Sequence, residues 1–420
     1  MRIELLCTGD ELVTGLTTDT NSPYLEARLF ELGLKVERVV LVGDVREQIA
    51  RALREAASRA DVVVVSGGLG PTSDDFTAEC AAEAAGVPLV EDARVLEALR
   101  ERVARRGREL TSNVARMARV PRGAEVVLNP VGAAPLFLLR MGGCLLFFLP
   151  GVPREFRALV EGEVLPRVKV ELEKRPGRVY RAFRLLRTVG VPESVLDARV
   201  APLAEAHPRV VFGFRTQAPE NHLKLMAEAP SQAEAEEALA VAEAAARREL
   251  GMAVYGADGD THAGVLARLL TEARATLSLA ESCTGGLIAS QLTGVPGASR
   301  FLVGGAVVYT EQMKMTWAGV PAELLARYGA VSRPVAVALA EGVRAVCQST
   351  YALSVTGVAG PTGGTPEDPV GTVYCALAAE GTPTRCERFV IPGDRDVVRL
   401  FAASPALELL RERLLSVSSP

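Results

Sequence analysis

Val62-Val63-Val64-Val65-Ser66-Gly67-Gly68-Leu69-Gly70-Pro71-Thr72-Ser73-Asp74-Asp75 decides how the first part of this chain is read. Four valines in a row are too apolar for a strand with one wet face, and they predict a strand covered on both sides, in the middle of a parallel sheet. Outward from it, Arg2 to Cys7 reads as a strand, Ser22 to Leu32 as a helix, Lys35 to Leu41 as a strand and Val45 to Ala60 as a helix. This alternation predicts a doubly wound α/β domain, in which ligands bind beyond the carboxyl ends of the strands. Two polar turns fall there: Thr8-Gly9-Asp10-Glu11-Leu12, and the glycine turn after the valines. Gly67, Gly68 and Gly70 free backbone N–H groups to cradle a phosphate. Asp74 and Asp75 can hold a divalent metal against that phosphate. A plain Gly-Pro turn whose aspartates cap the next helix fits the same residues. No Gly-Lys-Ser/Thr follows, so this is not a Walker A loop.

At 420 residues, several domains are expected. The chain is 49% hydrophobic and 23% charged, an ordinary globular balance. Its net charge of −4 implies no general affinity for nucleic acid. The seven cysteines have no CxxC spacing and the three histidines cluster with nothing, which argues against a zinc site. The odd cysteine count and the absence of a signal peptide predict reduced thiols in a cytoplasm. Apolar runs such as Cys144 to Pro150 are too short to span a bilayer. Only five of the 47 basic residues are lysine: Lys35, Lys169, Lys174, Lys224 and Lys314.

A polar linker is expected at Lys174-Arg175-Pro176-Gly177 and a second at Tyr255 to Asp260. Between them the order strand, helix, hairpin, long helix (Gln232 to Leu250) resembles a KH-like module of class α+β. No GXXG clamp is present, which argues against RNA binding and leaves a spacer or dimerisation role.

Residues beyond 260 again read as α/β. Helices are expected at about Thr261 to Ala275, Leu287 to Leu292, Pro334 to Gln348 and Asp396 to Leu415. Strands are expected at Thr276 to Ala280, Val303 to Tyr309, Ala352 to Thr356 and Val370 to Leu377. Between the first strand and the second helix lies Glu281-Ser282-Cys283-Thr284-Gly285-Gly286. Strand, tight turn, helix exposes a nucleophile and aims free N–H groups at an anion. A capping role for Ser or Thr is the plain alternative. Lys314 follows the strand that ends at Tyr309. Arginine stays protonated and cannot act as a base, whereas a desolvated lysine can, so a lone lysine in an arginine-preferring chain is a pointed signal. Ser282 with Lys314 makes a Ser–Lys pair, and Tyr309 can relay or orient the proton. The alternative is an exposed lysine on a helix. The glycine-rich loop Thr356 to Gly364 can donate N–H groups to an oxyanion or phosphate, and Pro392-Gly393-Asp394-Arg395 offers a guanidinium or simply a helix capped by Asp394.

Gly67-Gly68-Leu69-Gly70 with Asp75 resembles the GGTG-to-Asp signature of the molybdopterin-binding domain family. Asp44 lies where that family carries another active-site aspartate, and Leu149 to Phe156 resembles its substrate-side loop. Leu69 replaces the usual threonine and Asp74 adds a carboxylate, which points to another nucleotide-like ligand. The motifs Ala280 to Gly286, Tyr309 to Lys314, Gly329 to Ser332, Thr356 to Gly364 and Pro392 to Arg395 closely resemble the C-terminal domain of the CinA (competence/damage-inducible protein A) family. The resemblance implies three domains: 1–172 molybdopterin-binding-like, 173–256 KH-like, and 257–420 an amidohydrolase. It implies conversion of nicotinamide mononucleotide (NMN) and water to nicotinate mononucleotide and ammonia. Ser282 would be the nucleophile, Lys314 the base and Tyr309 an assistant, with Thr284, Gly285, Gly286, Thr356, Gly357 and Arg395 around NMN. It also implies hydrolysis of ADP-ribose to AMP and ribose 5-phosphate in the first domain. Thr8, Glu11, Asn21, Asp44, Gly67, Gly68, Gly70 and Pro150 would bind ADP-ribose, and Asp74 and Asp75 a divalent metal. The deamidase would need no cofactor. A homodimer without nucleic-acid or membrane partners is expected. The competing reading is a non-catalytic nucleotide- or pterin-binding protein related to molybdenum-cofactor biosynthesis.

Overall fold

The computed structural model describes residues 1–105, 107–174 and 179–418. The chain divides into two compact units: residues 1–182 with 229–232, and residues 183–228 with 233–420. Arg175, Pro176 and Gly177 of the first expected linker lie outside the described residues.

The first unit is built on strands β1 (Ile3–Thr8), β2 (Val36–Val42) and β3 (Val62–Ser66), two short strands β4 (Leu89–Glu91) and β5 (Arg119–Pro121), then β6 (Glu125–Val127), β7 (Leu136–Met141) and β8 (Cys144–Leu149). The main sheet has the order β2-β1-β3-β8-β7-β6. Its first four strands are parallel, and β7 and β6 add antiparallel. The valine strand is central and wholly buried, because helices cover both faces of the sheet. On one side Arg46–Arg59 packs Ile49, Ala50 and Leu53; on the other Asn21–Glu31 packs Leu25 and Leu29. The carboxyl ends of β1 and β3 are neighbours, Cys7 pairing with Ser66, so the two polar turns meet.

In the second unit a four-stranded sheet of order β10-β11-β9-β12 is formed by β9 (Tyr180–Thr188), β10 (Val210–Gln217), β11 (Glu220–Ala229) and β12 (Val254–Ala257). Helices Glu193–Ala206 and Gln232–Leu250 belong to the same KH-like module. The second expected linker is corrected here. Val254–Ala257 is a strand antiparallel to β9, held because Asp258 accepts the Leu185 N–H at 2.9 Å and Asp260 accepts that of Ala257. Buried polar groups join this module to the C-terminal α/β domain. Arg411 donates to the Met252 and Val254 carbonyls and pairs with Glu408. His262 lies 2.6 Å from Glu408 and stacks on Tyr255, whose hydroxyl donates to Glu220.

The last sheet, of order β14-β13-β15-β16-β17, comprises β13 (Leu277–Glu281), β14 (Leu302–Val307), β15 (Tyr351–Gly357), β16 (Thr372–Ala379) and β17 (Thr382–Val390). Three strands are parallel and β16 and β17 are antiparallel. Helices His262–Glu272 and Arg395–Ser418 cover one face and Arg333–Cys347 the other. The edge strand β17 is not foreseen, because its arginines and glutamates give it little apolar alternation. Among the described residues no helix is long and apolar enough to cross a membrane.

Candidate functional site

Strand β13, flanked by β14 and β15, ends at Glu281, and the chain turns at once through Ser282. The Ser282 N–H donates to the Val355 carbonyl at 2.9 Å, which pins the turn to β15. Gly285 (φ 64°) and Gly286 (φ 92°) carry it through left-handed conformations that a side chain would strain. On the neighbouring segment, Thr310 caps helix Glu311–Ala318 by accepting the Met313 N–H. One turn later Lys314 points inward and is only 1% exposed. Its Nζ lies 2.9 Å from Ser282 Oγ and 2.6 Å from the Val308 carbonyl oxygen. Lys314 is therefore on a helix but not at its surface. Burial pushes its pKa down from the usual amine value, with Cys283 and Glu311 pulling weakly the other way. The lowered pKa favours the neutral amine, and in that form Lys314 can donate to Val308 O and offer its lone pair to the Ser282 hydroxyl proton.

Cys283 is separated from Ser282 by environment. Its side chain enters the core beneath the turn, and burial pushes its thiol up to about 11. A Cβ on Gly357 would sit 3.1 Å from its sulfur, so glycine at 357 makes room for it.

The expectation that the helix N-terminus is open to an anion is corrected. The Glu281 carboxylate, 2% exposed, turns back over helix Leu287–Thr293. It accepts the N–H groups of Gly286 (3.0 Å), Ile288 (3.1 Å) and Ala289 (2.8 Å). The chain's own anion fills the position, and neither Ser282 nor Thr284 caps the helix.

The remaining expected residues divide. Tyr309 is 55% exposed and its hydroxyl accepts from Arg395 Nη2 at 2.5 Å; no hydrogen bond joins it to Ser282 or Lys314 among the described residues. Arg395 Nη1 also donates to Gly360 O at 2.8 Å, tying the glycine-rich loop to helix Arg395–Ser418. Asp394 caps that helix by accepting the N–H groups of Asp396 and Val397, the capping reading of the Pro392–Arg395 turn. Thr356 is fully buried, and its hydroxyl donates to the Ala330 carbonyl at 2.9 Å. Thr284 is also fully buried, its hydroxyl without a partner among the described residues. Arg399, one turn beyond Arg395, escapes sequence reasoning. Its Nη2 lies 3.6 Å from where a Cβ on Gly285 would stand. A chain with so many arginines hides it.

In the first domain Thr8, Glu11, Asn21, Asp44, Gly67, Gly68, Gly70, Asp74, Asp75 and Pro150 all line one cleft of about 580 Å³. A Cβ on Gly67 would stand 2.4 Å from Thr8 O and one on Gly68 2.0 Å from Thr77 Oγ1, so only glycine lets this backbone through. Thr77, absent from the expectations, donates its N–H to Gly68 O and closes the loop. Asn21 donates to Ser66 Oγ and Gly151 O, while its buried Oδ1 has no partner among the described residues. Asp44 and Asp10 clasp reciprocally, each carboxylate accepting the other's N–H at 2.9 Å. Burial, and after it the charges of Asp10, Glu11 and Asp74, push the Asp44 carboxyl up, partly offset by the Asp10 N–H. Asp75 accepts the Thr72 N–H at 2.9 Å and also its hydroxyl. Among the described residues no three His, Cys, Asp or Glu side chains form a ready cage. Crowded carboxylates with oxygen donors only suit a hard cation that completes its shell with water and substrate phosphate. The donor set thus fits a divalent ion.

Fold and site together define a three-domain α/β protein with a nucleotide-sized cleft in the first domain and a buried Ser–Lys pair in the third. Three family models match in series: a probable molybdopterin binding domain over residues 4–170, the damage-inducible protein CinA KH domain over 183–256, and the CinA C-terminal domain over 259–414. A CinA-like protein of Myxococcus xanthus is 68% identical over 416 residues, covering 99% of both chains. One from an Anaeromyxobacter species is 48% identical over 98% of both. This chain belongs to the CinA-like protein family. A solved CinA structure from Thermoplasma acidophilum is 34% identical, matching 39% of this chain and 96% of that one at a TM-score of 0.37.

Proposed function

We propose that the third domain is a Ser–Lys amidohydrolase acting on the amide of NMN. The observation that carries this is the buried Lys314 amine 2.9 Å from Ser282 Oγ, with its pKa lowered. Neutral Lys314 takes the hydroxyl proton as Oγ attacks the amide carbon. The tetrahedral intermediate collapses, and Lys314 passes that proton to the departing nitrogen, releasing ammonia. Water, deprotonated by the same amine, then attacks the acyl-serine, and the amine returns that proton to the departing Ser282 Oγ as the free acid leaves. No cofactor enters these steps. In this reading Tyr309 and Arg395 serve the substrate rather than the proton path.

The first-domain cleft is proposed to take ADP-ribose and split it to AMP and ribose 5-phosphate. Asp74 and Asp75 would hold the divalent ion, which would supply charge neutralisation at the pyrophosphate. The unpartnered Asn21 Oδ1 can accept from a ribose hydroxyl or a base amine. A cytoplasmic homodimer recycling pyridine nucleotides completes the reading. Purified full-length protein given NMN should release ammonia in step with nicotinate mononucleotide. Absence of both products at every pH from 6 to 10 removes the deamidase reading.

A further inference from the structure

We infer that Arg399 is the residue that recognises the 5′-phosphate of the substrate at the Ser282 site. The inference rests on the amidohydrolase reading for the substrate's identity, but on geometry for the contact. A nucleotide monophosphate carries a dianion that its site must meet with donors. The nearest backbone candidate, the N-terminus of helix Leu287–Thr293, is closed: Glu281 already accepts from Gly286, Ile288 and Ala289. With that N-terminus occupied by a carboxylate, the positive charge that a dianion calls for has to come from side chains.

Two guanidiniums project from the first turns of the last helix. Arg395 is committed to Gly360 O and Tyr309. Arg399 follows at i+4 on the same helix face, where Cβ atoms are about 5–6 Å apart, close enough for both to serve one anion. Its Nη2 comes within 3.6 Å of the Cβ position at Gly285, three residues from the nucleophile. Its carboxylate neighbour, Asp396, is 3.5 Å away with its side chain 90% exposed, a contact that water screens and a phosphate displaces at little cost. A planar guanidinium with donors to spare at the rim of a glycine turn is built for bidentate phosphate recognition. Arg399 thus sets the preference for the nucleotide over the nucleoside.

The test compares NMN with nicotinamide riboside, which lacks only the phosphate, in the full chain. Arg399→Ala should raise KM for NMN by ~10–100-fold, the scale of losing a charge-assisted contact, while leaving riboside kinetics unchanged. Arg399→Lys should restore part of the loss. Equal effects on both substrates, or an unchanged KM for NMN, overturn the assignment. Ribose 5-phosphate binding by calorimetry gives a readout independent of deamidation. A wild-type chain that deamidates nothing, yet binds ribose 5-phosphate more tightly than Arg399→Ala, keeps the phosphate site and drops the reaction. Equal binding by the two proteins overturns the phosphate site whatever the activity. Circular dichroism melts establish that each variant is folded.

Discussion

Arg395 donates a hydrogen bond to the Tyr309 hydroxyl across 86 positions of chain, joining the start of the last helix to the end of β14. Tyr309 follows Val308, whose N–H donates to the carbonyl of Glu281 next to Ser282, and the tyrosine is more than half exposed. Tyr309→Phe removes the acceptor and leaves the ring. It should raise KM for NMN by a few-fold and leave kcat within about twofold, because one exposed hydrogen bond is worth on the order of 1 kcal/mol. A kcat loss beyond a hundredfold at constant KM would instead put the phenol in the proton path.

The choice between adjacent nucleophiles follows from burial. At pH 7 a thiol pushed up to about 11 is almost wholly protonated, and its side chain faces the core. Ser282→Ala should abolish ammonia release. Cys283→Ala should retain most of it and lower Tm by a few degrees through the lost packing. Full inactivation by the cysteine substitution in a folded protein would transfer the nucleophile to Cys283.

Lys314 imposes a definite sign on the pH dependence. Its ordinary amine value is 10.5, and burial lowers it in the fold. Between the two values the unfolded chain binds more protons, so folding stability rises with pH across that window and falls away as pH drops through the lowered value. The kcat/KM profile should rise with pH through the same lowered value, where the base becomes neutral. Lys314→Met should flatten both dependences, and Lys314→Arg should cost as much kcat as Lys314→Ala, ~10²–10⁴-fold. An active arginine variant would show that charge alone suffices at this position.

Glu281 should be the costliest of these positions for the fold. Glu281→Ala strips the buried Ile288 N–H and the part-buried N–H groups of Gly286 and Ala289 of their acceptor and should destabilise by roughly 2–3 kcal/mol. Glu281→Gln, keeping one carbonyl acceptor, should lose less. Chemical denaturation of the two variants decides this, and equal stability to wild type would mean that water takes the carboxylate's place.

In the first domain, magnesium or manganese should raise Tm, and Asp74→Asn with Asp75→Asn should remove that rise. The same double variant should lose ADP-ribose cleavage while deamidation continues, because the two sites lie in different compact units. Since burial and like charges push the Asp44 carboxyl up, Asp44→Asn should stabilise the metal-free protein at neutral pH relative to wild type. A metal-insensitive Tm in wild type would count against the ion.

Lys314 was legible because the chain spends so few lysines, and the first-domain cleft because glycines and aspartates followed a valine strand. What stayed hidden was side-chain direction. Glu281 ends a strand and gives no sign that its carboxylate folds back over the next helix. Thr356 stands in a glycine-rich loop that suggests ligand contact, yet its hydroxyl is drawn inward to Ala330. Arg399 is one arginine among many until the helix places it beside Gly285. Periodicity gives the face of an element, whereas these contacts depend on where distant segments meet.

The polar seam through Arg411, Glu408, His262 and Tyr255 bears on how this protein can be taken apart. A cut at residue 257 would leave Arg411 without the carbonyls of Met252 and Val254, and His262 without the ring stacked on it. The third domain has its own apolar core, but its exposed flank would then present a buried guanidinium to water. Chimeras that exchange the third domain between relatives should carry residues 252–257 along with it, since Arg411 and His262 keep their partners only when that segment moves with them.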